Sequence, residues 1–467
     1  MTPVGQPATR PAPQPPVPSR PHSPPLPPRP SAQRDVERLL WRAGFGPRPG
    51  DLEALSSQPT ADIVTSMIAP ARAPVLNGPA PVDDKGNAIA PQDSWGHDHL
   101  SWLDRMVRSD QPLVERMALI WHDWFATSDD KVGSQAKMLA QAELFRSKGL
   151  GTFDDLLLGV TQDPAMLIWL DGTSNSRWEP NENYAREMME LFTLGADRGA
   201  YTEADIRDQA LALSGFRSQW SAELGNYNFQ YDAAFHEPGF KTVFGHRGRW
   251  DWRDSCRLCV EHPLHASFFV SKLWSYFVPT PPDAATRSRL EALYSSRGRA
   301  IRPVVEAILN HPDLYTGEQM VKPPVVYTAG LLRALERPID TEAWIWLADL
   351  SGQRLFNPPT VAGWDHEHWL DTSTLRGRWL IASYAAAPHG VDPDGYDSLE
   401  DPQGALNQAL TLWGNPPLSD STRAELLRFA TESVAADLTD WRAHQWRGLR
   451  QNALRQLIAA SPDGQTS

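Results

Sequence analysis

The chain has 467 residues, 41% of them hydrophobic and 22% charged, an ordinary balance for a globular protein and enough length for one large domain or two. Its formal net charge of −13 argues against sequence-independent nucleic-acid binding, which needs a basic surface. Two cysteines cannot build a disulfide framework, and no apolar run reaches the about 18 residues of a membrane span. No basic stretch leading into an apolar one opens the chain, so a cytoplasmic location is the expectation, with export by another route left open.

Residues 1–31 are dense in proline, contain arginine but no acid, and have little to bury. They are expected to form a disordered, extended tail. Pro24-Pro25-Leu26-Pro27-Pro28-Arg29-Pro30 suits either a solubilising leader or the groove of a proline-binding protein partner. From 32 to 467 a single large helical domain is expected, with 71–93 as a loop or insert rich in Pro, Gly and Asn. Val36, Leu39, Leu40 and Ala43 form a first helical stripe that stops at Gly44-Phe45-Gly46-Pro47, and 51–67 reads as a second helix. Helices follow over 102–107, 113–125, 138–146 and 153–160, and Pro164 ends one of them.

The most pointed stretch is 181–195, Asn-Glu-Asn-Tyr-Ala-Arg-Glu-Met-Met-Glu-Leu-Phe-Thr-Leu-Gly. At about 100° per residue, Tyr184, Ala185, Met188, Met189, Leu191 and Phe192 share one half of a helix. Glu182, Asn183, Arg186, Glu187, Glu190 and Thr193 share the other, and only Leu194 is out of place. Pro180 and Asn181 supply a start and Gly195 a stop. Thr202 with Asp205 resembles a capping box that opens a helix to about Ser214. Tyr227, Phe229 and Tyr231 then alternate with polar residues, and 241–244 follows the His236-Glu237-Pro238-Gly239 turn, which predicts one hairpin. Helices resume from 253, interrupted by a loop over 353–369. The fold class is mainly α, a multi-helix globular domain with one short β-hairpin. Most of the 19 Trp are expected in its core.

Several of these segments together resemble one family. Arg42-Ala43-Gly44-Phe45-Gly46, Trp121-His122, Leu170-Asp171, the 181–195 helix, Tyr201-Thr202, His236 with Lys241-Thr242-Val243, His262-Pro263, Lys272-Leu273-Trp274 and Asn357-Pro358-Pro359 with Gly363-Trp364 carry the likeness. On these the chain is similar to the bacterial domain-of-unknown-function family 1800, over roughly 39–461. The resemblance implies no established activity. Many members look exported, and histidine is expected in many of them where this chain has Phe192 and Trp124.

Three constellations could carry chemistry. His122, Asp171, Glu182, Glu187, Glu190 and His236 form a carboxylate–imidazole set, and Glu187 and Glu190, three apart, can face one point. Such carboxylates serve as general acid and base or as metal ligands between helices. In that reading Glu187, Glu190, His122 and His236 are catalytic, while Arg186, Asn183, Asp171 and Lys241 hold a polar ligand. The plain alternative is a solvated face with Glu182 and Arg186 paired at i and i+4. Cys256 and Cys259 with His262 and His265 have zinc-like spacing, but steps of three rotate away around a helix, so the thiols are expected to pack as apolar groups. The loop from Asn357 carries His366, His368 and two rings, Trp364 and Trp369, that could stack on a sugar or other cyclic ligand. Two functions remain: an enzyme acting on a carbohydrate or other polar substrate, with or without a metal, or a non-catalytic binding or scaffold protein whose acidic helix is structural. No cofactor is specified by any motif.

Overall fold

The computed structural model describes residues 23–70, 72–435, 438 and 440–467. Among them the protein is mainly helical, with four short strands in two separate antiparallel pairs. The first 22 residues of the proline-rich tail lie outside the described residues. Ser23 onward runs extended along the helix Pro402–Leu412: Ser23 N–H donates to Asp401 (2.8 Å), and Asn407 donates to the Pro24 carbonyl (2.8 Å). Residues 72–96 are free of helix until His97.

Most expected helices form where the apolar period places them. The segment 51–67 does not form one helix. It divides into Asp51–Leu55 and Thr60–Ile68, because Pro59 cannot donate its missing N–H and its ring blocks the preceding turn. The hairpin expectation also changes in detail. Phe216–Ser221 pairs with Gly225–Tyr231, and Lys241–Val243 pairs with His246–Gly248, so the two expected strands belong to different two-stranded sheets. The second turn is Phe244-Gly245, both at positive φ (51° and 79°), the backbone that matches strand twist in a two-residue hairpin. The expected capping box is present: Thr202 accepts from the Asp205 N–H, and Asp205 accepts from the Thr202 N–H.

The stretch 181–195 is helical but not uniformly α. Asn183–Glu187 is α-helix, and Met188–Thr193 is a π-helix, whose bonds close five residues back. Leu194 N–H reaches the Met189 carbonyl at 2.9 Å. The wider turn inserts one residue into the period, which is why Leu194, misplaced on an α wheel, is fully buried. Gly195 then stops the helix at φ 86°, where a Cβ would strike Arg198 and Phe268.

Helix ends leave their last carbonyls without backbone partners. Here four consecutive ones are met by side chains. Lys272 Nζ donates to Leu191 (3.0 Å), Trp124 Nε1 to Phe192 (3.0 Å), His265 Nδ1 to Thr193 (2.9 Å) and Arg198 to Leu194 (2.8 Å). Trp124 comes from the helix Pro112–Trp124, and His265 and Lys272 from His265–Ser275, so the π turn stitches three elements together. Around it packs an aromatic core: Phe125 against Phe192 (5.1 Å between centroids), Trp121 against Trp124 (5.3 Å) and Phe153 against Phe269 (5.2 Å). Both thiols are buried there, Cys256 bonded to Thr161 (3.2 Å) and Cys259 to Gln209 (3.3 Å), and burial pushes the Cys256 thiol up to about 12. Tryptophan is divided: Trp102, Trp121, Trp124, Trp274 and Trp344 are fully buried, whereas Trp95, Trp178, Trp220 and Trp441 are mostly exposed.

Trp124→Phe keeps an aromatic ring but leaves the buried Phe192 carbonyl unmet. The expected loss is about 1–3 kcal/mol, read as a lower Tm by differential scanning calorimetry. Trp220→Phe, at an exposed position, is the control and should leave Tm unchanged. Equal Tm for both variants would remove the capping argument.

Candidate functional site

The acidic half of the central helix is organised by one cation. Arg186 pairs with Glu203 (2.8 Å), Glu190 (3.3 Å) and Glu182 (3.4 Å), which fastens the helix to the start of Glu203–Ala212. The Glu203 hydrogen bond first, and then Glu190, hold the guanidinium pKa above its ordinary value. Glu187 has no hydrogen-bond or ion-pair partner among the described residues. Burial first, and Glu190 second, push its carboxyl up against the pull of Arg186. Asn183 donates to Asp171 (2.9 Å), which also receives Lys131 (2.9 Å). Asp171 itself sits at φ 58°, a turn residue rather than part of the helix.

His236 and Lys241 belong to the neighbourhood of the second hairpin. His236 Nδ1 lies 3.1 Å from the Ser214 carbonyl, and Lys241 Nζ donates to the Glu237 carbonyl at 2.5 Å. Burial lowers both pKa values. Among the described residues no hydrogen bond, ion pair or ring contact joins these two side chains to Arg186, Glu187 or Glu190. No group of three or more His, Cys, Asp or Glu among the described residues could hold a metal ion.

His122 is elsewhere again. It is fully buried, with rings of Trp102 (5.4 Å), Phe356 (5.5 Å) and Trp364 (5.3 Å) around it. Its Nε2 accepts the Phe356 N–H at 3.1 Å, and burial pushes its pKa down to about 3. It is a neutral core imidazole that receives the incoming 356–370 loop.

The next residue, Asp123, is where polar groups converge. Oδ1 accepts the Trp364 N–H (2.9 Å), and Oδ2 accepts the Tyr276 hydroxyl (2.7 Å) and His366 Nε2 (3.2 Å). Burial works against the charge, but His366, Trp364 and Tyr276 outweigh it, and the carboxyl pKa lies below its ordinary value. Gly363 makes this approach feasible: at φ 96° a Cβ there would lie 2.3 Å from Asp123 Oδ1. The His366 side chain is 44% exposed while Asp123 is 9% exposed, so the dyad runs from the interior to the surface. Trp369 stacks on the His366 ring at 4.5 Å and 27°. Trp364 and Trp369 are only 5% and 4% exposed, so their faces are turned to the protein rather than offered to a ligand. Lys272, half-buried and pushed down to about 8 by desolvation, and Arg116, buried and pushed down to about 10, both lie within the field of Asp123.

The structure therefore brings His122, Trp364 and Trp369 together around Asp123 and His366, and groups Asp171, Asn183, Arg186 and Glu190 separately. Asp123 and Tyr276 escaped the sequence reading. Asp123 sits between His122 and Trp124 in an apolar helix, and that burial of a carboxylate was the one signal pointing to it.

The family model DUF1800, a protein of unknown function, matches residues 38–466. Neither a curated protein nor a solved structure matches the chain.

Three buried imidazoles make stability pH-dependent. Burial lowers His122 and His99 to about 3 and His265 to about 4, from an ordinary 6.5. Folded values below unfolded ones mean that the unfolded chain binds more protons between them. The stability these imidazoles contribute is complete above pH 6.5 and is lost as pH falls toward 4. His122→Gln, which keeps an acceptor for Phe356, should remove one proton, about 1.4 kcal/mol per pH unit, from that slope. Urea unfolding at pH 7, 6, 5 and 4.5 measures it, and parallel slopes for the two proteins would refute the assignment.

Proposed function

Since the chain belongs to the DUF1800 family, described as a protein of unknown function, we propose a function from its own residues: an enzyme that uses the Asp123–His366 dyad as a general base on a hydroxyl-bearing polar substrate. The observation that supports it is the dyad itself, a buried carboxylate 3.2 Å from a half-exposed imidazole.

A carboxylate accepts and cannot donate, so the proton between the two lies on His366 Nε2. That tautomer leaves the Nδ1 lone pair available for a proton from a substrate hydroxyl or an attacking water. Tyr276 and the Trp364 N–H keep Asp123 ionised as His366 acquires charge, and Trp369 fixes the plane of the ring. The substrate approaches over the 356–370 loop. In this reading the acidic helix is structural, because its carboxylates at Glu182 and Glu190 are engaged by Arg186.

The test is a panel of nitrophenyl esters and glycosides, assayed with the wild type, His366→Gln, Asp123→Asn and Glu187→Gln. General-base catalysis contributes roughly 10²–10⁴ in rate, so His366→Gln should lose at least about a hundredfold with Tm unchanged, and Glu187→Gln should retain activity. A wild type inert to the whole panel, or a His366→Gln variant as active as wild type, overturns the reading.

A further inference from the structure

Beside the π turn, a cleft of about 420 Å³ is lined by Arg198, Ser267, Phe268, Ser271, Lys272 and Arg287. Three of its six residues are cationic and none is acidic, in a chain of net charge −13. We infer that this cleft binds a small molecule bearing a phosphate or sulfate group on an apolar, ring-sized body.

The cations are set in place by the fold. Arg198 is held by the Leu194 carbonyl (2.8 Å) and the Ser267 hydroxyl (2.6 Å), and Lys272 by the Leu191 carbonyl (3.0 Å). A lysine has three N–H donors, and Leu191 uses one of them. The Lys272 ammonium rests over the Trp124 ring at 4.6 Å and the Phe268 ring at 5.7 Å, inside an apolar surround where an anion's attraction is screened less than in water. The half-exposed Arg287 has only Glu291, at 3.6 Å, as a charged partner among the described residues, the weak kind of surface pair that an anion displaces readily. Planar guanidinium forks match the oxygens of a phosphate or sulfate. Phe268 supplies the flat wall that selects an apolar body over a bare ion. Two of the three cations are already ordered before any ligand arrives, which reduces the entropy lost on binding.

Calorimetric titration of the full chain with phenyl phosphate, inorganic phosphate and phenol tests the assignment. Phenyl phosphate should bind saturably at one site, inorganic phosphate at least tenfold more weakly, and phenol not at all. Arg287→Gln, a surface change that leaves folding intact, and Lys272→Met should each weaken phenyl phosphate at least tenfold. His366→Gln should bind it as the wild type does, which separates this site from the dyad. Absence of saturation by phenyl phosphate, equal binding of phenol, or unchanged affinity in Arg287→Gln overturns it.

Discussion

Four backbone carbonyls in a row, Leu191 to Leu194, end a π turn inside the protein, and each is bonded by a side chain brought from elsewhere along the chain. A buried carbonyl without a donor costs on the order of 1–3 kcal/mol, so the π turn persists only because Trp124, His265, Lys272 and Arg198 are in place. The dependence also runs the other way. The same bonds fix Trp124 at the end of its helix, next to Asp123, and fix Lys272 in the wall of the cationic cleft. The geometry of both sites is a consequence of how one helix ends.

This arrangement gives the two departures from the family resemblance a shared place. Trp124 and Phe192 meet directly, the indole N–H of one on the carbonyl of the other. The Phe192 ring itself packs on Phe125, at 5.1 Å. His265 is spent on the Thr193 carbonyl and the Tyr294 hydroxyl, both at 2.9 Å.

Local features were legible in the sequence because they rest on neighbours. The Thr202–Asp205 box, the Gly195 stop and the helical class follow from spacing of three or four residues. The π turn left one trace, the misplaced Leu194, which an α period could record but not explain. Asp123 left less. Its partners Tyr276, Trp364 and His366 are 153, 241 and 243 residues away, and no local period carries such a distance. The acidic face of 181–195 is ambiguous for a physical reason: Arg186 and its three carboxylates form a polar surface whether or not a site lies beneath it.

Burial sets the two imidazoles of this region apart. His122 is conspicuous in sequence beside Trp121, yet it is 1% exposed and neutral far into the acid range, its acceptor nitrogen committed to Phe356. His366, in a loop with no helical period to mark it, keeps one nitrogen on a buried carboxylate and nearly half its side chain in solvent. Desolvation holds the first neutral, while the second keeps an open face to solvent. The two are linked all the same. His122 receives the Phe356 N–H and packs edge-on against Trp364, whose own N–H binds Asp123. The buried histidine thus holds the loop that presents the exposed one.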